Sequence, residues 1–292
     1  MPTFSSLELL SSHGCFGGEQ RFYRHDSHEI GLRMKFSVFL PPQAQQGPVP
    51  ALVFLAGLTC TEETFMAKAG AQRMAAELGL ALIAPDTSPR GTDAPGQDAS
   101  WDFGLGAGFY LDATQAPWAR HWRMESYLIQ ELLPMLSGLL PLQPGRLGVF
   151  GHSMGGHGAL TLALRHPGVF RSVSAFAPIC TPSLCPWGEK AFAGYLGADR
   201  QRWLEHDACS LMQAQAEAPY PAGILVDQGL DDKFLAVQLN PGALEEACRH
   251  VGQPLTVRRH AGYDHGYYFV QSFMEDHLAH HRAALVGDAV RN

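Results

Sequence analysis

Along almost the whole of this 292-residue chain, apolar and β-branched runs alternate with helical patterns, and that alternation narrows the fold more than any other feature. Arg33 to Leu40 (RMKFSVFL) alternates at the period of a strand, and Ala51 to Leu55 (ALVFL) reads as a buried one. Leu80 to Ala84, Leu147 to Phe150, Val173 to Ala177, Ile224 to Asp227 and Leu255 to Arg259 read as further strands. Helical patterns lie at Ala69 to Leu78, Glu125 to Leu136, His157 to Arg165 and near Gly242 to His250, with a long last helix after His265. Strands fed through helices pair in parallel and are covered on both faces, so the expectation is an α/β fold with a mostly parallel central sheet.

No composition break, repeat or low-complexity tract divides the chain, which predicts a single domain over residues 1–292 without a large separate cap. Pro41 to Pro50 reads as a loop between early strands. Thr87 to Trp118 and Pro178 to Trp203 exceed ordinary loop length and are expected to wall a binding cleft.

Gly151-His152-Ser153-Met154-Gly155 fits G-x-S-x-G, with a predicted strand directly before it and a predicted helix directly after. A serine held on such a sharp turn leaves no room for side chains two residues to either side, and Gly151 and Gly155 supply that room. The turn also aims the Met154 amide and the positive end of the following helix at one point, where an oxyanion can form. Gly156 and Gly158 predict close approach of that helix to the sheet. A second oxyanion donor should come from the loop after an earlier strand; Gly57-Leu58-Thr59-Cys60 follows Ala51 to Leu55, which nominates the Leu58 amide.

This setting is that of the α/β-hydrolase fold, in which the acid and then the histidine follow the serine. His265 is the preferred base, because Gly262 to Gly266 is a loop between the last strand and the last helix; His260 is the runner-up. Asp231 and Asp232 both lie beyond the strand ending at Asp227, and spacing does not separate them. Asp264 is disfavoured as the chain neighbour of His265. His277, His280 and His281 fall on the last helix, where a surface role is expected rather than a metal site.

A formal net charge of -7 with no basic run disfavours nonspecific nucleic-acid binding. The opening MPTFSSLELLSSHGC has neither a positive region nor an apolar core of a targeting signal, and no apolar stretch reaches the ~20 residues of a membrane span. A cytoplasmic protein follows by default. Six scattered cysteines without paired spacing predict reduced thiols, not a disulfide framework or a zinc site.

Several blocks in order then make the chain resemble the S-formylglutathione hydrolases of the esterase D family over nearly its whole length. They are Leu55 to Thr61 (LAGLTCT), Gly106 to Thr114 (GAGFYLDAT), Gly151 to Ala159 (GHSMGGHGA), Cys185 to Phe192 (CPWGEKAF), Asp227 to Leu235 (DQGLDDKFL) and Tyr263 to Phe269 (YDHGYYF). The resemblance implies a triad of Ser153, Asp232 and His265, selecting Asp232 over Asp231. It places the Leu58 and Met154 amides in the oxyanion hole, with Cys60 and Trp187 near the site. It also implies hydrolysis of S-formylglutathione in formaldehyde detoxification, no cofactor or metal, and a homodimer. A broader carboxylesterase or an acyltransferase of the same fold would need the same triad. Ala56, Thr181 and Gly266 depart from the family pattern and bear on substrate preference, and Lys190 is a candidate for local recognition of anionic glutathione.

Overall fold

The computed structural model describes residues 7–286; the first six residues of the stretch read above for a targeting signal lie outside it. Nine strands form one sheet: β1 (Glu8–Cys15), β2 (Gly18–Asp26), β3 (Arg33–Leu40), β4 (Val49–Leu55), β5 (Ala81–Pro85), β6 (Leu142–His152), β7 (Ser172–Phe176), β8 (Ile224–Gly229) and β9 (Leu255–His260). Their order is β1-β2-β3-β5-β4-β6-β7-β8-β9. The three pairings at the β1 edge are antiparallel and the rest, from β5 across to β9, are parallel.

The helices are α1 (Glu62–Lys68), α2 (Gln72–Leu78), α3 (Met124–Ser126), α4 (Leu133–Leu139), α5 (Met154–Arg165), α6 (Pro186–Leu196), α7 (Arg200–Trp203), α8 (Ala208–Gln213), α9 (Pro241–Val251) and α10 (Tyr267–Val286). Side chains alternate across β7, so its two faces meet different layers. Ser172 and Ser174 bond to His281 and His277 of α10. Ala175, pointing the other way, faces Gly156 of α5, where a Cβ would come 3.4 Å from its own. Both layers press on a core in which β4, β5 and β7 are buried from end to end.

Where the structure departs from the sequence expectations, the causes are local. The helix expected over Ala69 to Leu78 begins only at Gln72, because Gly70 turns the chain at φ +65° just before it, and α1, ahead of that turn, was not read from the sequence. The run from α3 to α4 passes through a wide π turn at Tyr127–Leu132 just before Pro134, which has no N–H to offer the preceding turn. Strands β1 and β2 escape the sequence reading because β1 is an edge strand largely open to solvent and β2 buries polar Gln20 and His25 beside Tyr23, so no apolar alternation marks them.

Candidate active site

Parallel registry brings five strand ends to one edge. Leu55 pairs with Gly151, His152 with Phe176, Phe176 with Asp227, and Gly229 with His260. The loops after β4, β6, β8 and β9 therefore open side by side at the carboxyl end of the sheet, where open α/β sheets hold their ligands.

Ser153 is the turn between β6 and α5, at φ 58° and ψ -118°, a conformation that costs an L-residue on the order of 1–3 kcal/mol. The surroundings enforce it: the Ser153 amide donates to the Phe176 carbonyl at 2.9 Å, and the Ser153 carbonyl accepts from the His157 amide at 3.0 Å. A Cβ on Gly151 would run into the Gly155 carbonyl, and one on Gly155 into the Leu55 carbonyl, which is the room the motif predicted. Gly156 does let α5 approach β7. Gly158 serves another neighbour: its missing side chain makes room for the Tyr110 ring, not for the sheet.

Tyr110 in turn fixes the loop after β4, donating to the Ala56 carbonyl at 2.8 Å. The Thr59 amide donates to the Gly106 carbonyl at 2.9 Å. The Cys60 carbonyl accepts from Thr87 Oγ1 at 2.6 Å and Arg90 Nη2 at 3.1 Å, and Arg90 is itself gripped by the buried carboxylate of Asp86. This pinned loop lies against the elbow, since a Cβ on Gly57 would sit 3.2 Å from that of Ser153. Among the described residues, neither the Leu58 nor the Met154 amide donates to a protein acceptor.

His265 Nδ1 donates to Asp232 Oδ2 at 2.5 Å. Asp232 is buried, its second oxygen accepts the Phe234 amide at 2.8 Å, and Gln228 Nε2 adds a bond at 3.2 Å. The His265 ring is clamped between His152 (centroids 4.6 Å apart) and the edge-on Phe234 ring at 5.0 Å. Burial first, then the neighbouring His265, pushes His152 well below the ordinary histidine range, so it is a neutral wall. Ser153 and His265 line one cavity of about 150 Å³ with Leu58, Cys60, Trp101 and Trp187. The two long segments thus each supply a tryptophan, packed edge to face at 5.6 Å.

The other sequence candidates fall elsewhere. Asp231 is exposed, and Asp264 Oδ1 accepts the Gly266 amide at 2.8 Å. His260 stacks on Phe273 and bonds to Asp227 at 3.1 Å. Lys190 is tied to Asp102 and Ser100, so it is no free cation. His277 and His281 contradict the surface reading outright: both are fully buried, with His280 half-buried beside them. A sequence window sees only their place on a helix, whereas their partners, Asp227 and two serines of β7, come from strands far away in the chain. All six cysteines are free thiols, and burial raises that of Cys60.

With this geometry in place, comparison with known proteins is decisive. Residues 27–280 match the esterase family described as "Putative esterase". The chain is 52% identical over 277 residues to a mouse S-formylglutathione hydrolase, covering 94% of this chain and 98% of that one, and 51% identical to its rat counterpart over 276 residues, with 94% and 97% covered. The chain belongs to the S-formylglutathione hydrolase family. A solved S-formylglutathione hydrolase from Agrobacterium tumefaciens superposes on it with a TM-score of 0.92 at 46% identity, over 95% of this chain and 99% of the other.

For this family member, sequence reasoning missed Tyr110, Asp86 and Arg90 as the supports of the Leu58 loop, and His152, Phe234 and Tyr267 as cavity walls. His152 stands at the variable position of the elbow, and Phe234 and Tyr267 lie inside the resembling blocks, so those three carried a signal. Asp86 and Arg90 carried none.

Proposed function

We propose that this protein hydrolyses S-formylglutathione to glutathione and formate, with Ser153 as nucleophile, His265 as general base and Asp232 as the carboxylate that orients it. Ser153 Oγ attacks the formyl carbon while its proton passes to His265 Nε2, the nitrogen left by the bond from Nδ1 to Asp232. The Leu58 and Met154 amides receive the developing oxyanion at the positive end of α5. Collapse breaks the carbon–sulfur bond, and the imidazolium gives its proton to the departing sulfur, so glutathione leaves as the thiol and His265 is neutral again. Water, deprotonated by His265, then attacks the formyl-enzyme; formate departs and the proton returns to Ser153. None of these steps calls for a cofactor or metal.

The observation that carries this reading is the cavity itself: about 150 Å³, holding both Ser153 and His265 and capped by Trp101 and Trp187. It suits the smallest acyl group. The likeness to the family extends the reading to a role in formaldehyde detoxification, to the cytoplasm and to a homodimer.

Steady-state rates on a thioester panel test it. S-formylglutathione should exceed S-acetylglutathione by about a hundredfold in kcat/KM, the scale on which a tight pocket rejects one added carbon. Equal rates would favour a broad carboxylesterase, and faster transfer to an added alcohol than to water would favour an acyltransferase.

A further inference from the structure

Tyr267 lines a second space as well as the catalytic one. This outer cavity, about 500 Å³, is bounded by Lys68, Asp264, Gly266, Tyr267, Tyr268 and Gln271, and so begins on either side of His265. Volume assigns the two spaces different tasks. At about 150 Å³ the catalytic cavity is below the roughly 300–1,000 Å³ in which small-molecule ligands are usually held, and it cannot enclose a tripeptide. The outer cavity is within that range.

Its polar groups are of opposite sign. Among the described residues Lys68 has no carboxylate partner; its ammonium stands 5.9 Å from the centre of the Tyr267 ring. Asp264 uses Oδ1 on the Gly266 amide and keeps Oδ2 unengaged. Helix α10, 20 residues long, starts at this wall, and its first amides precede the helical bond from the Val270 amide to the Gly266 carbonyl. Gly266 keeps the arrangement open, because a Cβ there would stand 3.1 Å from Asp264 Oδ1. A cation and an anion lining one cavity match an α-amino acid zwitterion better than a lone carboxylate.

We propose that the outer cavity binds the γ-glutamyl end of the glutathione leaving group, Lys68 donating to its α-carboxylate and Asp264 accepting from its α-ammonium. This rests on the thioesterase reading above. The glycyl end, which carries only a carboxylate, would set its charge against Asp264 and lies outside this cavity.

Inert S-methyl thioethers test the assignment as competitive inhibitors of p-nitrophenyl acetate hydrolysis: S-methylglutathione, S-methyl-γ-glutamylcysteine and S-methylcysteinylglycine. Lys68→Glu should raise Ki about tenfold, and Lys68→Gln about threefold, for the two γ-glutamyl compounds, leaving Ki for S-methylcysteinylglycine as in the wild type. Arg249→Glu, the same charge change on an exposed residue of α9, should alter none of the three. An unchanged Ki in Lys68→Glu, an equal rise for S-methylcysteinylglycine, or an equal rise in Arg249→Glu would each overturn the proposal. The thioesterase reading fails separately, in the wild type alone, if S-formylglutathione is not turned over.

Discussion

Asp227 and Asp232 stand at the carboxyl end of β8 and beyond it, and each accepts from a histidine: His277 at 3.1 Å in one case, His265 at 2.5 Å in the other. Around Asp227 every direction is filled. Arg258 grips it with two nitrogens at 2.6 and 2.5 Å, His260 adds a bond at 3.1 Å, and His277 passes its other nitrogen to Ser174. Burial alone would raise the Asp227 pKa, but the bonds from His277 and Arg258 outweigh it and hold the carboxyl far below its usual range. The second ring behaves differently. His265 spends one nitrogen on Asp232 and shares with Ser153 a cavity open to a substrate. An aspartate–histidine pair with both ends of its imidazole occupied acts as a structural clamp, whereas one with a free end facing a reactant is free to relay a proton, the role proposed for Asp232 and His265.

The largest effect that could break this contrast is on turnover. Ser153→Ala should lower kcat by about three orders of magnitude or more, and Asp232→Asn by about a thousandfold, because the amide no longer holds the imidazole in the working tautomer. Both should keep the wild-type Tm within a few degrees. Asp227→Asn should do the reverse, costing about 3 kcal/mol in denaturant unfolding by leaving Arg258 without its buried partner, while kcat per titrated active site stays near wild type. Loss of turnover in folded Asp227→Asn would erase the distinction between the two pairs.

A smaller effect sharpens it. Burial lowers the pKa of His157, also fully enclosed, to about 4. Its folded value lies below the unfolded value of about 6.5, so the unfolded chain takes up the proton first as pH falls. Stability from this group is complete above pH ~6.5 and declines toward pH 4, by about 2 kcal/mol at pH 5. Tm measured from pH 7 to 5 should therefore fall less steeply in His157→Asn than in the wild type; parallel slopes would show that His157 is not held neutral by the fold.

What the sequence could convey follows from the range of the forces involved. The elbow is local: Gly151, Ser153 and Gly155 declare themselves because the constraint acts within five residues. The central strands are legible for the same reason, since a strand buried on both faces must be apolar along its length, as β4 is. His277 and His281 were misread because a histidine on a helix looks like a solvent residue until the serines of β7 are brought beneath it. Asp231 and Asp232 were inseparable by spacing, because the difference between them is burial, which the turn after β8 decides. The support of the Leu58 loop by Tyr110 and Arg90 is likewise tertiary.

The account rests on Ser153 being the group that His265 activates. Reaction of the native protein with a fluorophosphonate, followed by peptide mapping, measures this directly. The phosphonyl adduct should fall on Ser153, be absent from Ser153→Ala, and form far more slowly in folded His265→Gln. An adduct on another residue, or labelling of Ser153 at an undiminished rate without the imidazole, would contradict it.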